Sequence, residues 1–124
     1  MTFRNNFYYI DSVTRSDNDV LYALSLNADH IIYKAHFPGE PITPGVCILQ
    51  IGLELLSDTV NSELEISCVK NVKYLSVLHP DCTPLIVDIH KIIVDDNTVK
   101  AQIDFFFANT SIAKMSLICH IVAE

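Results

Sequence analysis

The spacing of apolar and polar positions changes character three times along this chain. From Phe7 to Asn27 the two alternate with a period of two. Phe7–Arg15 is aromatic and β-branched, which suits a strand. Ser16-Asp17-Asn18-Asp19 reads as a turn, and from Val20 to Asn27 Tyr22, Leu24 and Leu26 alternate with Leu21, Ala23 and Ser25. A hairpin is expected. Ala28-Asp29-His30 leads through Ile31–Ala35 into a proline-rich loop. From Val46 to Leu56 only Gln50 and Glu54 are polar, which predicts a buried helix over about residues 44–59. After Asn61-Ser62-Glu63 come four strand-like segments at 64–78, 84–94, 98–108 and 111–123, the last three separated by Asp95-Asp96-Asn97 and Asn109-Thr110. The whole reads as one α+β domain over residues 1–124, about six strands and one central helix, helix on sheet. Because the helix is apolar on most of its circumference, both the sheet and a partner are expected to cover it. Gln50, Glu54 and Asp58 fall at i, i+4 and i+8, one narrow polar stripe. Gly52, a poor helix former, would let the helix lie close to the sheet.

The loop before the helix holds the densest punctuation. Pro38, Gly39, Pro41, Pro44 and Gly45 fall within eight residues. The prolines fix φ and remove three backbone donors, so neither a helix nor a central strand runs through. Thr43 is a candidate N-cap and Pro44 suits the first helical position. The amides of Gly45 and Val46 would then point out of the helix start, where the macrodipole favours negative charge. His36, a rigid turn and a helix N-terminus together suggest a site that polarises a carbonyl.

Composition narrows the partners. A net charge of −7 argues against nucleic acid, since phosphate binding needs a basic surface. Half the residues are hydrophobic and the mean hydropathy is +0.31. A small chain this apolar suggests a partner subunit that covers part of it. No apolar run reaches the roughly 18 residues of a membrane span. Cys47, Cys68, Cys82 and Cys119 form no CxxC pair, and no N-terminal signal pattern is seen. A cytoplasmic protein with reduced thiols is expected, with Cys47, Cys68 and Cys119 filling the core. No third ligand stands at convincing spacing from His30 and His36, so no metal is expected. His79, His90 and His120 are expected to be structural or at the surface.

His36-Phe37-Pro38-Gly39-Glu40-Pro41-Ile42-Thr43-Pro44-Gly45-Val46, followed by an apolar helix, resembles the signature of the 3-hydroxyacyl-acyl-carrier-protein dehydratases. The resemblance is dense over residues 36–50 and extends more weakly through Lys70-Asn71-Val72-Lys73-Tyr74 to His79-Pro80-Asp81. It implies a hot-dog fold, in which a curved antiparallel sheet wraps one long helix. It implies dimers or multiples of dimers, with histidine and carboxylate of one site contributed by different subunits. It also implies acyl thioesters as substrates, carried on an acyl carrier protein or coenzyme A, in fatty-acid or related acyl-chain biosynthesis. No cofactor is called for. Docking an acidic carrier protein would need a local basic patch, for which Lys34, Lys70 and Lys73 are the candidates.

Dehydration of a 3-hydroxyacyl thioester needs a base for the α proton, donors for the charge on the carbonyl oxygen, and an acid for the departing hydroxyl. His36 can be the base, since imidazole titrates near neutrality. The Gly45 amide foremost, with Val46, can be the oxyanion donors. An apolar channel beside the helix would take the acyl chain. The acid is where the sequence departs. The dehydratases it resembles carry Glu or Asp six residues after the proline of Pro-Gly, and here that position is Gln50. Glutamine orients a hydroxyl or water but has no carboxylic proton to give, and general acid catalysis is typically worth about 10²–10⁴-fold. Glu54, one helical turn on, is the other carboxylate within reach. Three functions follow. The first is His36-led dehydration, with Gln50 ordering the leaving hydroxyl and water or Glu54 supplying the proton. The second is a non-catalytic acyl- or carrier-binding subunit of a mixed dehydratase. The third is thioester hydrolysis using Glu54.

Overall fold

The computed structural model describes residues 2–122. Its elements are β1 (Tyr8–Arg15), β2 (Asp19–Leu26), α1 (Ile31–Ala35), α2 (Gly45–Val60), β3 (Leu64–Tyr74), β4 (Leu85–Asp95), β5 (Thr98–Phe107) and β6 (Thr110–Ile121). The six strands form one sheet in the order β1-β2-β4-β5-β6-β3, antiparallel throughout. Strand β3 follows the helices in sequence yet lies at the far edge from β1. Something must therefore carry the chain from β2 across β4, β5 and β6. Four strand spacings come to about 19 Å. The 16 residues of α2 reach about 24 Å, enough to make that crossing.

The burial pattern shows how the crossing is held. Cys47, Ile48, Ile51, Gly52, Leu55 and Leu56 are the buried face of α2, in the i, i+4, i+8 rows a helix turns to one side. Val99, Ala101, Ile103 and Phe105 alternate inward on β5, and Ala113, Met115, Leu117 and Cys119 do so on β6. The expected inward set of β2, Tyr22, Leu24 and Leu26, is buried. Gly52 does allow close approach: a Cβ there would stand 3.2 Å from the Met115 sulfur and 3.4 Å from Ile103 and Phe105. No helix among the described residues is long and apolar enough to cross a membrane.

Several expectations need correction. One long central helix was expected, and there are two unequal ones, α1 of 5 residues and α2 of 16. The proline-rich loop separates them, and His30 starts α1 by accepting from the Ile32 amide at 3.2 Å. Thr43 is not the N-cap of α2. Pro44 holds that position without a side-chain bond, because the buried Thr43 hydroxyl is paired with Tyr33 at 2.8 Å. Cys68 is exposed, and Cys82 is buried in its place among the core thiols; all four are free. Cys68 lies just past a bulge on the edge strand β3, where little but Leu64 is covered. Pairing of β3 ends at Tyr74 rather than at 78. The last strand, placed at 111–123, runs Thr110–Ile121, and residue 123 lies outside the described residues.

The outer face of the sheet carries one testable strain. Asp88 on β4 stands directly opposite Asp104 on β5, like charges that oppose each other. One Asp88 carboxylate oxygen is buried with no hydrogen-bond partner among the described residues. Burial, and then the charge of Asp19, pushes the Asp88 carboxyl above the ordinary carboxylate range. A folded-state pKa raised above the unfolded value means the folded chain holds the proton more tightly. Its stabilising share is complete below the unfolded value near about 4 and is lost as pH rises through the folded value. Asp88→Asn is therefore expected to raise the melting temperature by a few degrees at pH 7 and to bring no gain at about pH 3. Thermal melts at both pH values check this; a gain that does not vary with pH would assign the effect to packing.

Candidate active site

The loop that carries His36 is closed by its own backbone. His36 ends α1, its amide donating to Ile32 O at 2.9 Å, and its carbonyl accepts from the Ile42 amide at 2.9 Å. Inside that closure Phe37 and Glu40 exchange both backbone bonds, at 3.2 and 3.0 Å. Gly39 takes the turn at φ +86°, a left-handed conformation that glycine adopts without strain. Two contacts tie the loop to the connection after β3. Thr43 N donates to Leu78 O at 2.8 Å, and His79 Nδ1 lies 3.0 Å from Pro41 O. The imidazole of His36 is left exposed, 4.6 Å from the Phe37 ring centre to centre.

At the head of α2 the amides of Cys47 and Ile48 donate to Pro44 O, at 2.9 and 3.2 Å. Those of Gly45 and Val46 come one turn too early for an intrahelical partner. Val46 is 72% exposed. Beside Gly45 lies a hollow of about 380 Å³, lined by apolar Ile42, Ile48, Leu75 and Val77 together with Tyr74. Tyr74 packs its ring against Gly45 so closely that a Cβ there would lie 2.8 Å from the ring. Its hydroxyl donates to Gly45 O at 2.8 Å.

The polar stripe of α2 faces elsewhere. Gln50, Glu54 and Asp58 line a second hollow of about 750 Å³ with Arg4. Gln50 Nε2 donates to Glu54 Oε2 at 2.8 Å. Glu54 also accepts from Phe3 N at 2.8 Å, Arg4 N at 2.9 Å and the Tyr8 hydroxyl at 3.0 Å. Asp58 accepts from Arg4 Nη1 at 3.0 Å and from Tyr22 at 2.8 Å. Burial and the Asp58 charge push the Tyr22 phenol up to about 12.

Within the chain the expected residues are thus split. Gly45 lines the apolar hollow, Gln50 and Glu54 line the other, and His36 lines neither, though Ile42, its backbone partner, does line the first. Sequence reasoning missed Tyr74, Tyr8 and the backbone of Phe3 and Arg4. Tyr74 carried a signal, an aromatic closing a basic strand; the N-terminal partners of Glu54, 46 to 51 residues away, carried none. His30, His79, His90 and His120 all have structural partners. Among the described residues no His, Cys, Asp and Glu group is arranged to hold a metal ion.

Comparison with known proteins supplies what one chain cannot. The family model of the ApeI-like proteins, described as ApeI dehydratase, matches residues 12–115. Among solved structures, the dehydratase heterocomplex ApeI:P from Xenorhabdus doucetiae matches with a TM-score of 0.69 at 16% identity, covering 90% of this chain and 96% of that one. The putative thioesterase yhdA from Lactococcus lactis matches with a TM-score of 0.68 at 10% identity, covering 94% and 93%. A hypothetical thioesterase with coenzyme A from Streptococcus pneumoniae matches at 0.62 and 9%, covering 94% and 87%. These likenesses show the hot-dog fold. No curated protein matches the chain.

Proposed function

The chain belongs to the ApeI-like dehydratase family, and from that premise we propose that it removes water from a 3-hydroxyacyl thioester, borne on an acyl carrier protein or coenzyme A, to give the trans-2-enoyl thioester. His36 takes the α proton. The Gly45 and Val46 amides hold the charge that gathers on the carbonyl oxygen, in the place where a helix dipole favours it. Gln50 orders the leaving hydroxyl, which receives through a water molecule the proton that His36 took from the α carbon and leaves as water. Glu54 is less suited to that task, because four donors already occupy its carboxylate. The same occupancy counts against thioester hydrolysis through Glu54. The acyl chain enters the apolar hollow beside Gly45.

The observation that carries this reading is the closed loop. The bond from Ile42 N to His36 O ties the histidine to the rim of the apolar hollow at the head of α2. Because His36 and Gln50 line no common hollow in one protomer, the complete site is proposed to form between two subunits, in a homodimer or a multiple of it. With its cysteines as free thiols, the chain is proposed to work in the cytoplasm. A second reading rests on Gln50 standing where the family resemblance expects a carboxylate: this chain serves as the binding subunit of a mixed dehydratase. Likeness to a dehydratase heterocomplex supports asking.

One substitution separates the two readings. Turnover of a 3-hydroxyacyl thioester is followed by enoyl absorbance for the wild type and Gln50→Glu. A catalytic subunit is expected to turn over by itself, and Gln50→Glu to keep or raise the rate by up to about 10²-fold, the low end of what a general acid supplies. No turnover by either protein, with activity appearing only after a partner subunit is added, would establish the mixed assembly instead.

A further inference from the structure

We infer that Tyr74 is a positioning residue for the carbonyl-binding amides: its hydroxyl on Gly45 O and its ring on the Gly45 α-carbon fix the first turn of α2. The argument begins with the peptide unit. The Gly45 carbonyl and the Val46 N–H are the two ends of one rigid plane. Tyr74 donates to the carbonyl end at 2.8 Å. A hydrogen bond there fixes the tilt of the plane and polarises it, so the N–H at the other end becomes a better donor. The ring adds a second constraint, lying where any Cβ on residue 45 would be, 2.8 Å from Tyr74 Cζ and 2.9 Å from Cε2. Glycine at 45 and tyrosine at 74 are thus a matched pair.

The need for such a clamp follows from the helix itself. Pro44, the N-cap of α2, offers no side-chain bond, the first turn has no acidic residue, and the Thr43 hydroxyl is taken by Tyr33. The usual devices that steady a helix start are missing, and first turns so left tend to fray. Tyr74 comes from the end of β3, the far edge of the sheet, and supplies a tertiary anchor in their place. Tyr74 also lines the apolar hollow with Ile42 and Ile48, so its bond to Gly45 sits beside the space proposed for the acyl thioester.

This inference rests on the proposed carbonyl-binding role of Gly45 and Val46, and its test separates the two. Tyr74→Phe keeps the ring and removes only the hydroxyl. In the ¹H–¹⁵N spectrum of the full chain the Val46 amide is expected to move upfield, while resonances of β4 and β5 stay in place. With a 3-hydroxyacyl thioester as substrate, kcat is expected to fall about 3- to 10-fold, the range one hydrogen bond supplies, with KM unchanged. An unmoved Val46 amide overturns the inference whatever the activity. A moved amide with unchanged kcat overturns the catalytic part of it. Full activity in a variant lacking the His36 imidazole would instead refute His36 as the base, and the amide spectrum would still report on Tyr74.

Discussion

His36→Ala is expected to lower kcat for dehydration of a 3-hydroxyacyl thioester by about 10²–10⁴-fold, the range that a positioned acid or base supplies, and to leave the fold intact. The second half of that expectation comes from where the histidine does its structural work. Both of its bonds in the loop are backbone bonds, N–H to Ile32 and C=O from Ile42, and alanine makes both. The ring is exposed, beside the Phe37 ring, so its removal leaves no cavity. Exposed substitutions of this kind stay within about 0.5 kcal/mol. A thermal melt matching the wild type, together with a collapsed rate, identifies the loss as chemical. The enoyl product is measured by absorbance, and the residual rate by single turnover. If the alanine variant turns over as fast as the wild type, another group removes the α proton.

The elements were legible where one physical signal dominated. The period-two alternation of residues 20–27 gave β2 to within a residue, Asp19–Leu26, and the apolar run bounded by prolines and Asn61 gave α2, Gly45–Val60. Asn61 ends that helix in the left-handed conformation that asparagine tolerates. What periodicity does not encode is which strand sits at an edge. Strand β3 is as apolar in sequence as its neighbours, yet it is the last strand of the sheet, which is why Cys68 was placed in the core and stands exposed. Thr43 failed for a related reason. A side chain beside a helix start has several possible partners, and Tyr33, ten residues upstream, won over the helix amides. The candidate site is a motif in the sequence and not yet a geometry in the chain. His36, Gly45 and Gln50 are spaced along the sequence as the chemistry asks, but the chain alone puts Gly45 and Gln50 in separate hollows and His36 in neither.

Glu54 is where sequence and structure differ most in consequence, and Glu54→Ala is expected to cost about 3–4 kcal/mol of stability. As an isolated carboxylate one turn from Gln50 it invites a catalytic role. In the fold it is the knot that holds the N-terminal segment to α2. Its two oxygens accept from Phe3 N, Arg4 N, Tyr8 Oη and Gln50 Nε2, all within 3.0 Å. Phe3 lies 4.8 Å from Phe7, ring to ring, and Phe7 stacks on Tyr33 at 5.2 Å, so the knot also secures an aromatic layer against α1, which leads into the His36 loop. Bonds to a charged acceptor are worth about 1.5–3 kcal/mol each. They do not add fully, since water replaces the acceptor at exposed Arg4. Tyr8, fully buried, has no such relief. A loss of this size lowers the melting temperature by about 10 °C or more in a chain of this length. An independent signature accompanies it. Burial, then the Glu54 charge, holds the Tyr8 phenol far above its ordinary range. Without the carboxylate that phenol titrates at lower pH, which ultraviolet difference spectra follow. A variant that melts like the wild type while losing turnover would show the opposite: that this carboxylate is the acid the sequence seemed to lack.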